Sequence, residues 1–199
     1  MFKYISQEIS NTIEIKNSKF IALLHPFTET EQLQTFLKKA QEQYPKATHY
    51  CYAYIIGDPH NSKFAGSSDD GEPSGTAGKV MHSVLIKNNL GNVCVIVVRY
   101  FGGVKLGAGG LSRAYAKAVG QVLKNAEFHD NIPMEVINLE CDFAQEQVIR
   151  KIVSKHEGQI LDINYAENVK IQLQVAKSRG IVVRDELTNK TNGKVEFSN

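Results

Sequence analysis

The stretch VCVIVVRYFGGVKLGAGGLSRAYAKAVGQVLKNA, residues 93–126, holds the transition on which the reading of the fold turns. Its first part, VCVIVVRY (93–100), is a continuous, largely β-branched apolar run, as expected of a strand buried on both faces. Leu111, Ala114, Tyr115, Ala118, Val119, Val122, Leu123 and Ala126 then form an apolar stripe at helical spacing, with alanines that allow close packing on a sheet. Between the two, residues 102–110 contain five glycines in nine positions. Glycine is costly to order unless the chain needs a positive φ or room for another backbone or a ligand. A strand, a glycine-rich turn and a helix start can also offer free N–H groups and a positive dipole end to an anion. In that reading Gly102, Gly103, Gly107, Gly109 and Gly110 give backbone access, and Arg99, Lys105 and Arg113 add charge. The spacing GGxxxGxGG is neither a dinucleotide fingerprint nor a P-loop, so spacing alone leaves a structural turn and an anion cradle both open.

Upstream, Ile13 and Ile15, then Phe20 to Leu24, read as two strands around a turn at Asn17-Ser18. Leu33, Phe36, Leu37, Ala40 and Tyr44 recur at 3/4 spacing, which predicts an amphipathic helix over 28–44. HYCYAYIIG (49–57) reads as a strand, 58–77 as a long loop, and 78–88 as a short helix. Downstream, EFHDNIP (127–133) loses the helical pattern, which predicts two domains, 1–130 and 131–199.

The second domain has its own rhythm. Residues 134–141 form a strand, and Asp142 with Gln145 offers a capping-box start to a helix carrying Val148, Ile149, Ile152 and Val153. Strands at 159–165 and 169–176, a weaker helix over about 179–190 and a last strand in KVEFS complete the order βαββαβ. That is the ferredoxin-like pattern, and the whole chain reads as α+β.

Bulk properties narrow the function classes. With 199 residues, 42% hydrophobic and 22% charged, the chain is long enough for a real core and shows no sign of disorder or a disulfide scaffold. A net charge of +2 means that any nucleic-acid role must come from a local patch. Cys51, Cys94 and Cys141 are odd in number and widely spaced, and no segment reads as a signal peptide or membrane span. The expectation is a reduced, cytoplasmic protein without membrane partners.

A second motif precedes the first. In SSDDGEPSGTAGK (67–79), Asp69, Asp70 and Glu72 would suit Mg²⁺, with Lys79 close by. The competing reading is a polar turn whose carboxylates are solvated or cap a helix. Pro73 and Val80 rule out a standard P-loop. His49 and Cys51 share one face of a predicted strand, but neither His60 nor His82 completes a zinc-spaced pair, so no metal is expected there. Nothing in residue order links His49 to Ser68, Ser74 or Ser112, and catalytic residues stay unassigned.

SDDGEPSGTAGK (68–79) followed by a buried strand and RYFGGVKLGAGGLSRAY (99–115) resembles the IMPACT family in its bacterial YigZ-like branch. KNSKFIALL (16–24) and ATHYCYAYIIG (47–57) support the resemblance, which covers residues 10–127 strongly. It implies an N-terminal ribosomal-protein-type, domain-2-like fold and a C-terminal ferredoxin-like domain similar to elongation factor G modules. Eukaryotic relatives are linked to translational control. The resemblance therefore implies a non-enzymatic, translation-associated regulator that binds RNA, the ribosome or a translation factor through loop 99–115, with no cofactor and no DNA partner. The alternative is a phosphate- or nucleotide-binding enzyme, a metal-assisted hydrolase or phosphotransferase. It would place Mg²⁺ on the acidic loop 68–72, phosphate on the glycine loop, and His49 and Lys79 in support.

Overall fold

A computed structural model describes residues 1–62 and 64–198, which divide into two units, Met1–Asn131 and Ile132–Asn199. In the first unit β1 (Phe2–Tyr4), β2 (Ile9–Ile15) and β3 (Ser18–Pro26) lead to α1 (Gln32–Gln43). Then come β4 (His49–Ile56), β5 (Phe64–Ser68), α2 (Gly78–Lys87), β6 (Val93–Tyr100), α3 (Ala108–Lys124) and β7 (His129–Asn131). Five strands form one antiparallel sheet in the order β2-β3-β6-β4-β5. The apolar run is its central strand, and period-2 alternation splits it between two cores. Val93, Val95 and Val97 join the core under α2 and α3, whereas Cys94, Ile96 and Val98 join the one under α1. Small residues on α3 (Ala114 and Ala118) let that helix lie close to the sheet beside Phe20 and Leu24.

Four local expectations are corrected. The β2–β3 turn sits at Lys16-Asn17, both with positive φ (47° and 63°), one residue earlier than read from sequence. Two left-handed residues match the twist of a two-residue hairpin, and that fixes the register. Helix α1 begins at Gln32 rather than residue 28, because the Gln32 side-chain oxygen accepts the Thr28 and Glu29 N–H groups at 3.0 and 3.2 Å and holds that segment as a turn. The segment read as loop 58–77 contains β5, whose FAGSS sequence lacks β-branched residues and is held by pairing to β4. Strands β1 and β7 pair with each other and were not expected at all.

The second unit runs β8 (Met134–Cys141), α4 (Glu146–Lys155), β9 (Gln159–Tyr165), β10 (Val169–Ala176), α5 (Gly180–Lys190) and β11 (Glu196–Ser198). Its sheet order β11-β8-β10-β9 with antiparallel neighbours is the ferredoxin-like arrangement read from the sequence. One face packs Ile137, Leu139, Ile171 and Leu173 against Ile149, Ile152, Val183 and Leu187. The expected capping box is absent: Asp142 makes no side-chain cap, and a 3₁₀ turn over Phe143–Gln145 precedes α4.

Candidate functional site

The two motifs meet at the end of β6. Arg99 terminates an otherwise apolar strand and is only 5% exposed. Burying a guanidinium requires a counter-charge. Glu72, itself 7% exposed, supplies it from the upstream loop, with Arg99 Nη1 2.6 Å from Oε1. The same oxygen accepts the Tyr115 hydroxyl from α3 at 2.8 Å. The Arg99 guanidinium carbon stands over the rings of Phe20 and Phe101, 5.4 and 5.5 Å from their centroids. One carboxylate thus ties together the acidic loop, the central strand and the helix after the glycine loop.

The other members of the acidic motif are turned to different tasks. Asp69 caps α2, accepting N–H bonds from Gly75 (2.7 Å), Ala77 (2.9 Å) and Gly78 (2.8 Å). Burial raises its pKa, but these three donors outweigh burial and hold the carboxyl below its usual value. Asp70 Oδ2 accepts the Tyr50 N–H at 2.6 Å. The three carboxylates therefore do not converge, and among the described residues no group of three His, Cys, Asp or Glu side chains is placed to hold a metal ion. Of the two readings left open for these acids, the helix cap describes Asp69.

His49 donates from Nδ1 to the Asp70 carbonyl at 2.7 Å, and its Nε2 stands 4.0 Å from Glu72 Oε2. Lys79, in the first turn of α2, is exposed. Cys51 is fully buried, 2.9 Å from the Asp69 carbonyl and 3.3 Å from the Tyr115 hydroxyl. Burial pushes its thiol up to about 12, which leaves it an inert core group. Burial also pushes the Tyr115 hydroxyl up, so it serves as a fixed donor to Glu72.

The glycine loop sorts into distinct roles. A Cβ on Gly102 would overlap the backbone of Asn17 and Ser18, so this glycine exists for close packing on the β2–β3 hairpin. The Ser18 hydroxyl accepts the Gly102 N–H at 3.1 Å. Gly103 turns the chain at φ 81° with open space around it. Gly107 precedes α3 at φ 70°, ψ 164°, a region essentially reserved for glycine. Gly109 and Gly110 fall in the first turn of α3, where the leading N–H groups have no intrahelical acceptor. Among the described residues no side chain caps this helix, and no acid stands in its first turn.

An open cavity of ≈ 380 Å³ lies beside this helix start, lined in part by Glu72, Arg99, Phe101, Lys105, Gly107 and Ala108. Lys105 and Arg113 are exposed, and Phe101 is 47% exposed. The structure thus separates the three expected cations: Lys105 and Arg113 face solvent, whereas Arg99 is spent on Glu72. Tyr115 was read from sequence as a member of the apolar stripe and Ser18 as part of a turn, not as partners of Glu72 and Gly102. The one available signal was a tyrosine placed in an alanine-rich stripe.

Family models match both units: the Impact N-terminal domain over residues 16–123 and a domain of unknown function (DUF1949) over 139–194. The chain is 37% identical to an IMPACT family member of Haemophilus influenzae over 92% of this chain and 88% of that protein. The chain belongs to the IMPACT family. It is also similar to the family members YvyE of Bacillus subtilis (37% identity, 93% of this chain and 84% of that protein) and YigZ of Escherichia coli (32%, 92% and 90%). Human protein IMPACT is 33% identical over 46% of this chain and 29% of its own length. A crystal structure described as a hypothetical protein superposes with a TM-score of 0.64 at 29% identity, covering 98% of this chain and 95% of that one. Among the described residues no helix is long and apolar enough to cross a membrane.

Proposed function

We propose that this IMPACT family protein is a non-enzymatic, translation-associated regulator that binds RNA, free or within the ribosome, through loop 99–115. One observation carries the reading. The glycine loop and the first turns of α3 together present an exposed aromatic ring (Phe101), two exposed cations (Lys105 on the loop and Arg113 on the helix) and an uncapped helix start. Single-stranded RNA is recognised by base stacking on aromatic rings combined with electrostatic contact to the phosphates. The link of eukaryotic relatives to translational control, implied by the family resemblance, favours a translation-related RNA. The reading requires no metal or other cofactor, since Asp69, Asp70 and Glu72 are each engaged by neighbouring donors.

The test is co-sedimentation with ribosomes and filter binding to unstructured RNA across a salt series. Lys105→Glu with Arg113→Glu should weaken binding and lower the salt slope by about 1–2. Phe101→Ala should cost about 1–3 kcal/mol of RNA affinity with the salt slope unchanged. No association at low salt would overturn the reading. Nuclease-insensitive capture of a translation factor would replace it with a protein partner.

A further inference from the structure

The two edges of the five-stranded sheet are built differently. At one edge, β2 places Ser10, Thr12 and Glu14, all exposed, on the α1 side of the sheet, and its other side packs against α3. Polar and charged positions of this kind keep an edge strand solvated and unpaired. At the other edge, β5 pairs with β4 alone among the described residues, in a register without a bulge. Its residues, Phe-Ala-Gly-Ser-Ser, include no charge and no proline. A flat edge without these devices is a template for another strand.

The α1 side of this edge is apolar where that of β2 is polar. Phe64 is 59% exposed, and Ile56, directly opposite it on β4, is half-buried. Gly66 leaves room for the Tyr54 ring, which lies over it: a Cβ there would meet that ring at 2.6 Å. Tyr54 in turn lies nearly parallel to Tyr52, with 6.4 Å between ring centroids. An aromatic strip from Tyr52 to Phe64 therefore borders the free edge.

Charge selects what pairs there. An open cavity of ≈ 350 Å³ at the Phe64 end is lined by Thr28, Glu29, Thr30, Glu31, Ile56 and Phe64. Both glutamates are exposed, and among the described residues no cation joins that lining. At the Ser68 end Asp70 is exposed as well. Two copies of β5 paired antiparallel about Gly66 would set Phe64 of each beside Ser68 of the other, and would bring Glu29 and Glu31 toward Asp70. Like charges oppose that pairing, and the same carboxylates repel a nucleic-acid backbone. A cationic side chain fits instead, with its aliphatic stem on Ile56 and Phe64 and its head at Glu29 and Glu31.

We propose that the β5 edge is a docking site for an extended, basic segment of a partner protein, which joins the sheet as a sixth strand. Main-chain hydrogen bonds to β5 supply affinity, and alternate side chains supply specificity. Apolar side chains of the segment lie against Phe64 and Tyr54, and an arginine or lysine beyond them occupies the cavity. None of these residues lines the cavity beside α3, and neither reading requires the other.

The experiment selects short random peptides from a displayed library on the full chain and maps each binder by amide hydrogen exchange. Binders should alternate apolar residues, carry Lys or Arg at one end, and slow exchange within Phe64–Ser68. Phe64→Lys charges the edge at a largely solvated position. That variant should melt as the parent does while losing peptide affinity at least about tenfold. Glu29→Lys with Glu31→Lys should weaken the same peptides about tenfold or more and favour acidic-ended ones. A selection without any binder that slows exchange in β5 overturns the inference. So does a β5 binder whose affinity ignores Glu29→Lys with Glu31→Lys. Dimerisation that Phe64→Lys abolishes would assign the edge to a second copy, and RNA that slows exchange at the same amides would assign it to nucleic acid. Either result overturns the protein-segment assignment.

Discussion

Two loops in this molecule end the same way, at the N-terminus of a helix packed on the same face of one sheet, and they solve the helix-end problem differently. The loop before α2 brings its own anion: the Asp69 carboxylate accepts three backbone N–H groups of residues 75–78. The loop before α3 brings none, and glycines leave its helix end bare beside a cavity. A helix start has orphan donors in either case. In the first loop the chain satisfies them internally and gains stability. In the second the donors stay available, which suits a site better than a scaffold. Glu72 joins the two by holding Arg99 and Tyr115 from across the sheet end.

The largest effect is expected where the loops are coupled. Glu72→Gln removes the counter-charge of a buried guanidinium, and losing one partner of a buried ion pair costs about 3–5 kcal/mol. Urea denaturation should show the first unit's transition moving to much lower denaturant, with the ferredoxin-like unit's transition unmoved. An unchanged first transition would mean that the two loops are independent, and the coupling described above would fail.

A smaller loss is expected from emptying the filled helix end. Asp69→Ala should destabilise the first unit by about 1–2 kcal/mol. Because the Asp69 pKa lies lower in the fold than its ordinary value of 3.8, its contribution is present above that value and is lost as pH falls through the folded pKa. The parent should therefore lose stability over that acid window with a steeper slope than Asp69→Ala. Identical slopes would mean that the carboxylate is not what holds the α2 end.

How much of this was legible follows from the range of each interaction. The β6–loop–α3 passage and the βαββαβ order could be read because they are periodic: Val169, Ile171, Leu173 and Val175 alternate, and the α3 stripe repeats every third or fourth residue. The β5 strand was hidden because Phe64-Ala65-Gly66-Ser67-Ser68 has no strand signal of its own, and Gly66 lies where any Cβ would strike the Tyr54 ring. The burial of Arg99 was hidden for a different reason. A charge at the end of an apolar run reads as the edge of a core, and its partner Glu72 sits 27 residues earlier with no period connecting them. Three residues grouped by sequence as one metal set, Asp69, Asp70 and Glu72, were separated by backbone geometry that adjacency cannot show.

The smallest expected effect separates shape from recognition within the bare loop. Gly103→Ala adds a Cβ into open space, so its whole penalty is that of a left-handed φ of 81°, about 1–2 kcal/mol for an L-residue. Gly103 does not line the cavity, so RNA affinity should be unchanged while the urea midpoint falls. If RNA affinity falls with Gly103→Ala as much as with Lys105→Glu and Arg113→Glu together, the turn and the cations act as one unit. The distinction between glycines that shape the turn and side chains that meet RNA would then collapse. If it holds, the contrast between the two loops narrows to the first turn of α3, where the sequence places Ala108, Gly109 and Gly110 and no acid.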